Sequence, residues 1–269
     1  QVGSDVEVNT ANESYVLWQW LLGDSATTGA TLTGGSPDIT STGIVADAGH
    51  FSVGVYEGSG TDDDDISHGL GGTIEMLMVK HFAADTDDWM VWHKNLSSNS
   101  HQLHLNTTDD EDTTKNAWGS NPVFDANVFR VGATDETNKN STGNSHVFFA
   151  FRSVPGVCKV GSYTGNGDAA GPYIDLGFKP AFFMAKQSSA VENWVMLDDK
   201  RPNYNPTGGY LFANLNNVEG GLGSEYVDFL SSGVKLRTTG ASVNGSASFI
   251  YLAMADIGGN GTLPPIYGK

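Results

Sequence analysis

One sequence pattern occurs twice in this chain of 269 residues. The segment Phe51–Gly60 matches Cys158–Gly167, with the same spacing of Val, Gly and Tyr. Each copy continues into an apolar run that ends in lysine, at Lys80 and at Lys186. The matched segments lie about 107 residues apart at the start of the copies and about 103 at the end, so the length differences fall in loops. Self-similarity over this period indicates that one supersecondary unit is built twice.

The later parts of the two copies match as well. Each has a tryptophan after a short polar loop, Trp89 in the first copy and Trp194 in the second. Each closes on a continuous apolar run, His146–Phe151 and Phe249–Met254. Because the two tryptophans occupy the same position of the repeat, we predict a shared packing role for them.

The matched segments have the composition of β-strands. They are short, rich in Val, Phe, Tyr, Ile and Trp, and bounded by Gly, Asn, Asp and Ser. Phe51–Tyr56 alternates between apolar and polar residues, whereas Met76–Val79 and Phe148–Phe151 are apolar on both faces. A sandwich of two sheets needs both kinds of strand. We therefore predict an all-β chain of two tandem β-sandwich repeats of the jelly-roll or lectin-like type.

The predicted organisation has four parts. Residues 1–49 form an N-terminal segment with an orphan strand, Tyr15–Trp20, which looks like the closing strand of another copy. Residues 50–154 and 155–256 form the two repeats, divided next to a Pro-Gly pair that interrupts strand pairing. Residues 257–269 are rich in Gly and Pro, so we expect an irregular tail.

The charge and the apolar runs argue against several function classes. Thirty-one Asp and Glu against 14 Lys and Arg give a net charge of -17, which repels phosphate groups. Binding to nucleic acid or to anionic membranes is therefore not expected. No apolar run reaches the roughly 20 residues of a membrane-spanning helix, so membrane insertion is not expected either. The single cysteine, Cys158, lies in an apolar stretch, which favours a buried hydrophobic role over a reactive thiol.

Patterns for catalysis and metal binding are weak. A glycosidase needs two carboxylates that flank the scissile bond, and the glutamates of this chain are scattered. His101 and His104 are the closest histidine pair, but a spacing of three on a strand places them on opposite faces. The run Asp62, Asp63, Asp64, Asp65 has the oxygen donors that calcium takes, although a solvated turn is the favoured interpretation. We expect no enzyme activity and no cofactor, with calcium at this run as a weak candidate.

Aromatic residues in polar loops are the candidates for sugar contact. Trp118 lies in the polar segment 116–120, and neither it nor Trp92 has a tryptophan counterpart in the second copy. Tyr204 lies in the corresponding loop of the second copy. The aromatic faces of Trp118, Trp92 and Tyr204 could stack on sugar rings, although a packing role is the favoured interpretation.

Several motifs of the second copy and of the lead-in strand have a known counterpart. They are Tyr163–Gly167, Gly177–Phe182, Lys186, Trp194, Asp198–Pro206 and Tyr15–Trp20. Together they resemble a repeat of virion proteins of marine tailed bacteriophages, over residues 12 to 256. The resemblance implies a tail-fibre or virion structural protein, in some members with a concanavalin-type β-sandwich, and it carries over no catalytic residue. The first copy departs from the pattern at Glu57, at Ser59 and by its acidic insertion.

These observations lead to one hypothesis and two rivals. The hypothesis is a non-enzymatic phage protein of the virion or extracellular space, a tail fibre, spike or capsid-surface component, that contacts host surface glycans or serves packing alone. Its partners would be further copies, for instance in a trimer, and other virion proteins, because assembly covers sheet edges. The rivals are a secreted lectin-like carbohydrate-active enzyme, and a filament or surface-layer protein that exchanges a strand such as Tyr15–Trp20.

Overall fold

A computed structural model describes most of the chain. The described residues are 10–12, 15–18, 29–82, 87–140, 143, 145–201, 205–220 and 227–255. Strands dominate, and the two helices among these residues have four residues each. The prediction of an all-β fold is confirmed. No helix within the described ranges is long and apolar enough to cross a membrane.

Strands follow one another along the chain with short connections. Up to residue 151 the elements are β1 (Ala30–Thr31), β2 (Ser41–Val45), β3 (Phe51–Glu57), β4 (Asp64–Ser67), β5 (Met76–His81), β6 (Met90–His93), β7 (Leu103–His104), β8 (Val128–Val131), α1 (Asp135–Asn138) and β9 (Ser145–Phe151). From residue 158 they are β10 (Cys158–Thr164), β11 (Tyr173–Asp175), β12 (Pro180–Gln187), β13 (Val195–Asp198), β14 (Tyr210–Phe212), β15 (Val227–Leu230), β16 (Gly233–Leu236), α2 (Ala241–Asn244) and β17 (Ser248–Ala255). We call residues 51–151 the first repeat and residues 158–255 the second repeat.

The two repeats have the same strand topology. The large sheet of the first repeat contains the order β3-β9-β5-β6-β7, and that of the second has the order β10-β17-β12-β13-β14. Each repeat also has a small antiparallel sheet, β4-β8 in the first and β11-β16-β15 in the second. Cross-strand register identifies equivalent residues: Tyr56 pairs with His146 as Tyr163 pairs with Phe249. The strand order of one unit is therefore built twice, and the place of β15 is taken in the first repeat by a single antiparallel bridge between Phe124 and Phe129.

Equivalent polar side chains hold the same turn in both repeats. The hydroxyl of Tyr56 donates to the carbonyl of Thr137, and that of Tyr163 donates to the carbonyl of Val243. The next residue of each short helix is a buried asparagine, Asn138 or Asn244. Its amide oxygen accepts a backbone N–H from the loop after the first strand of the repeat. Buried polar groups need such partners, so this asparagine fixes the loop to the helix.

The hydrophobic core crosses from one repeat to the other. Alternate residues of β17 enter different clusters: Phe249, Tyr251 and Ala253 pack within the second repeat. The intervening side chains join a larger cluster that also contains the core of the first repeat; they are Ile250, Leu252 and Met254. Both faces of this sheet are thus covered, which explains the continuous apolar runs in the sequence. The repeats are not separate hydrophobic units, since they share one core.

The predicted N-terminal strand is wrong where the structure describes it. Residues 15–18 form no strand, and residues 19 and 20 lie outside the described part. Trp18 instead packs edge-on against Phe182, and its indole N–H donates to Asp198 over 3.2 Å. The aromatic residue of this segment therefore packs against the second repeat and does not belong to a strand. The predicted tail, residues 257–269, lies outside the described residues.

Candidate functional site

The first repeat is closed along one flank by the segment that precedes it. Residues 29–45, here called the cap, contain β1 and β2, and β2 pairs with β3 along its whole length. Ile39 of the cap forms a bridge with Ile66 of β4. Leu32 is buried. A Cβ added at Gly69 would lie 3.2 Å from the side chain of Leu32 and 2.9 Å from that of Val45. The cap therefore joins the large and small sheets of the first repeat.

The outer face of the small sheet in the first repeat is also occupied. Asp65 and Arg130 face each other across β4 and β8 and form a bidentate ion pair with N–O distances of 2.7 and 2.9 Å. Ser67 and Val128 are buried on the same sheet. The hydroxyl of Ser67 donates to the carbonyl of Gly34 in the cap. Little of this surface is left for a ligand.

The same flank of the second repeat is open in the part of the chain that the structure describes. The loop between β9 and β10 is short, so no equivalent of the cap precedes β10. Gly177 is equivalent to Gly69, and both have a positive φ, +78° and +72°. A Cβ at Gly177 would meet nothing within 4 Å, whereas one at Gly69 would meet the cap. The outer face of the small sheet is correspondingly exposed, with Tyr173 45% accessible to solvent.

This exposed surface is formed by two rows of side chains across three strands, and we call it the Tyr173 face. One row contains Tyr173, Lys235 and Asp228, and the other contains Asp175, Gly233 and Leu230. These residues alternate with Ile174, Val234 and Phe229, so the pleat of the sheet directs them away from the core. Tyr173, Asp175 and Leu230 are exposed and Lys235 is half-buried, whereas Asp228 and Gly233 are covered by their neighbours. An aromatic ring, a cation and a carboxylate are thus accessible side by side on a rigid support.

The orientation of the Tyr173 ring follows from its neighbours. Its hydroxyl forms a hydrogen bond of 2.6 Å with the hydroxyl of Ser232. A Cβ at Gly233 would lie 2.9 Å from that hydroxyl oxygen, so only glycine leaves room for the ring to lie across the sheet. The hydroxyl end of the ring lies close to Gly233, and almost half of the surface of Tyr173 is in solvent. It is held in place before any ligand arrives.

Polar groups around the ring are positioned by hydrogen bonds. The ammonium group of Lys235 donates to the carbonyl of Gly171, and the guanidinium group of Arg237 donates to Asp228 over 2.6 Å. Lys159 of β10 reaches the carbonyl of Asp175 over 2.6 Å. Each of these cations has further N–H groups. The Tyr173 face therefore combines donors and acceptors with a flat apolar surface.

Two of the three aromatic candidates for sugar contact are buried, which rules out that contact for them and agrees with the favoured packing role. Trp118 is 0% exposed, and its indole N–H donates to the carbonyl of His101 over 3.1 Å. Trp92 is 3% exposed and stacks on Phe124 with a centroid distance of 3.6 Å. The polar residues Asn116 and Ser120 on either side of Trp118 donate to Asp62. Tyr204 lies outside the described residues.

The acidic run Asp62–Asp65 has protein partners in place of a metal. Asp62 accepts from Asn116 and Ser120, and Asp63 accepts from the backbone and side chain of Asn121. These bonds to Asn121 hold the pKa of Asp63 below its usual value. Asp64 is buried beside Asn138, and Asp65 binds Arg130. Within the described ranges no three His, Cys, Asp or Glu side chains are arranged to hold a metal ion, which argues against calcium at this run.

One Ser, His, Glu cluster has the residue types of a hydrolase but a different geometry. The hydroxyl of Ser97 donates to Glu111 and lies 2.9 Å from Nδ1 of His101. Glu111 is 3.0 Å from the same ring nitrogen. A catalytic triad needs the serine and the carboxylate on opposite nitrogens of the imidazole. The cluster instead ties the loop after β6 to the loop after β7.

Other buried reactive groups have structural partners. Burial raises the pKa of Cys158 far above its usual value, which favours the thiol and an unreactive role. Burial also lowers the pKa of Lys186 to about 8, although nearby carboxylates oppose the change. The ammonium group of Lys186 donates to the carbonyls of Gln187 and Ala190, and the equivalent Lys80 donates to the carbonyl of Asp87. The lysine that ends each apolar run therefore fixes the following loop.

The sequence-based candidates for sugar contact do not include Tyr173. Comparison of equivalent positions in the two repeats nevertheless points to it. Tyr173 is equivalent to Asp65, and Gly233 is equivalent to Val128. The outward positions of the small sheet thus differ between the copies, while paired inward positions such as Ile66 and Ile174 stay apolar. Divergence at the outward positions indicates that the two surfaces make different contacts.

Comparison with known proteins gives one result. No curated protein and no solved structure matches the chain. One family model, described as a domain of unknown function (DUF7483), matches residues 1–257. Because this match spans nearly the whole chain, the protein belongs to the DUF7483 family.

Proposed function

We propose that this protein is a non-enzymatic structural component of a phage virion that binds host surface glycans through the Tyr173 face. A tail fibre, a spike or a capsid-surface protein would all present such a face to the outside. The chain then belongs to the virion or the extracellular space. Carbohydrate is its ligand class, and the closed face of the first repeat has a structural role.

The exposed ring of Tyr173 is the observation that carries this proposal. The face of an aromatic ring carries partial negative charge, and the C–H groups on one side of a sugar ring carry partial positive charge. A ring fixed on a strand can therefore stack on a sugar with little loss of side-chain entropy. Asp175 and Lys235 lie beside it and supply an acceptor and donors for hydroxyl groups.

The virion setting is supported by different observations. The motifs around Tyr163, Trp194 and Tyr15 resemble a repeat of phage virion proteins. A net charge of -17 suits a surface that stays soluble and avoids the packaged genome. The Ser97 cluster has the wrong geometry for a triad, which favours binding over hydrolysis at that place.

A glycan array tests the proposal directly. The wild-type chain, Tyr173→Ala and the control Phe82→Ala would be applied to an array of bacterial surface polysaccharides. Phe82 is exposed and follows β5 of the first repeat, outside both small sheets, so it controls for nonspecific aromatic contact. We expect retention of the wild type and of Phe82→Ala, with roughly tenfold or greater loss for Tyr173→Ala, equal to about 1.4 kcal/mol. Absence of wild-type retention, or equal retention of Tyr173→Ala, would contradict the proposal.

A further inference from the structure

The first strand of the second repeat has one unpaired edge among the described residues. One side of β10 pairs with β17 over its whole length. The other side begins with short contacts: Val154 forms a bridge with Cys158, and the hydroxyl of Ser153 accepts the N–H of Val160. These contacts show that the backbone groups of residues 158 and 160 point away from β17. Because these groups alternate along a strand, those of Ser162 and Thr164 point the same way.

The equivalent edge of the first repeat is occupied by another strand. β3 is equivalent to β10, and β2 pairs with it from Ser41 to Val45. No described residue pairs with the outward backbone groups of Ser162 and Thr164. The edge of β3 in the first repeat is therefore paired with a further strand, whereas the equivalent edge of β10 in the second repeat has no such strand among the described residues.

This edge lacks the features that prevent strand pairing. Protein edges are protected by charged side chains, by proline or by a covering segment. Residues 160–164 are Val-Gly-Ser-Tyr-Thr, without charge or proline, in a chain whose net charge is -17. Ser162 and Thr164 are exposed, so a second strand can approach without displacing a side chain from the core.

We propose that β10 pairs antiparallel with β10 of a second copy of this chain, around a two-fold axis at Tyr163. This register places Ser162 of one copy opposite Thr164 of the other, and the same contact recurs on the far side of the axis. It uses the unpaired groups of both residues and forms about four backbone hydrogen bonds. Registers centred on Ser162 or Thr164 would need groups that already bind Ser153 or Asn244.

The second copy is favoured as the partner by the self-complementarity of an edge without charged residues. A two-fold contact brings the same patch together twice, so an uncharged edge meets an uncharged edge. Each copy nevertheless carries -17, and the two bodies repel each other through water. Salt screens that repulsion, so the dimer becomes tighter as salt increases, unlike an interface held by ion pairs.

Cysteine crosslinking tests the partner and the register together. Ser162→Cys and Thr164→Cys chains, made with different masses, would be mixed and oxidised with oxidised glutathione in the full chain. Residues opposite each other in a hydrogen-bonded pair lie about 5.5 Å apart at Cα, within the range of a disulfide. Equal residues of the two copies lie more than about 7 Å apart, beyond that range. We expect the mixed crosslink to exceed either homodimeric crosslink at least about tenfold.

A proline variant shows whether the backbone carries the contact. Ser162→Pro removes one outward N–H that the described chain does not use, so the protein should still fold. Ser162→Ala keeps that N–H and is the matched control. Sedimentation velocity in high salt should show a dimer for the wild type and Ser162→Ala and a monomer for Ser162→Pro, with circular dichroism verifying the fold. A monomeric wild type, a dimer that persists in Ser162→Pro, or homodimeric crosslinks as strong as the mixed one would each overturn the inference.

Discussion

The two repeats share a strand order and differ in what covers them. In the first repeat the cap closes the flank between β3 and β4, and an ion pair between Asp65 and Arg130 occupies the small sheet. In the second repeat the same flank is open among the described residues, and Tyr173 takes the place of the acid. The small sheets thus keep apolar residues such as Ile66 and Ile174 at inward positions and differ at outward ones. Under the proposed function, the first copy stabilises the molecule and the second contacts the glycan.

The repeats also differ in their titratable groups. All seven histidines lie between residues 50 and 146, so the second repeat has none. Burial lowers the pKa of His68 to about 4 and that of His93 to about 3. The position equivalent to His68 is Leu176 in the second repeat. Lowering the pH should therefore destabilise the protein mainly by protonating histidines of the first repeat.

The largest expected effect separates the two equivalent tryptophans. Trp194 is 1% exposed in the shared core, and its indole N–H donates to the carbonyl of His104 across the repeats. Trp89 is half-buried against Phe149. Trp194→Ala should lower the free energy of unfolding by about 3–5 kcal/mol, and Trp89→Ala by clearly less, as urea denaturation would measure. Equal losses would mean that the core is not shared as described.

Acid sensitivity is the next effect in size. An unfolded histidine takes up a proton near pH 6.5, whereas folded His68 stays neutral down to a pKa of about 4. Between these values the unfolded state binds more protons, so stability falls as pH falls, by roughly 1 kcal/mol per pH unit for each such histidine. His68→Leu copies the second repeat and should flatten the pH dependence over that window. An unchanged slope in urea titrations between about pH 6.5 and 4.5 would contradict this assignment.

Two equivalent glycines isolate the contribution of the cap. Gly69→Ala and Gly177→Ala both place a Cβ at a positive φ, which costs roughly 1–2 kcal/mol. At Gly69 the new Cβ would also lie 2.9 Å from a methyl group of Val45, while at Gly177 it meets open space. We expect Gly69→Ala to be the more destabilising by about 1 kcal/mol or more in thermal unfolding. The reverse order would show that the flank of the second repeat is covered.

The smallest effect on stability is expected at Tyr173. Tyr173→Asp introduces the residue of the first repeat opposite Lys235 on an exposed strand. Its unfolding free energy should stay within about 0.5 kcal/mol of the wild type. A drop of several kcal/mol would indicate that the ring belongs to the core and is not free to bind.

Local patterns were enough to predict the strands, because alternation and apolar runs report directly on one or two covered faces. The repeat was visible for the same reason, since inward residues such as Ile66 and Ile174 must stay apolar in each copy. The burial of Trp118 was not visible, because the local composition does not show how the chain folds back to place Phe124 and the carbonyl of His101 against it. Polar neighbours in a sequence do not show which side of a loop faces water.

Tyr173 could not be selected from its own surroundings for a similar reason. A single tyrosine next to an isoleucine is ordinary in a strand, and its exposure depends on the short connection between β9 and β10, which supplies no cap. Gly233, which makes room for the ring, lies on another strand. Only the pairing of β11 with β16 brings them together.

Hydrogen exchange with a bound oligosaccharide would show which of the two small sheets contacts the ligand. The probe would be the oligosaccharide that the wild-type chain retains most strongly on the array, measured against the free chain. We expect slower amide exchange in β11 and β16 of the second repeat and no change in the equivalent β4 and β8. Protection of β4 and β8, or protection confined to strands outside both small sheets, would contradict the assignment of binding to the Tyr173 face.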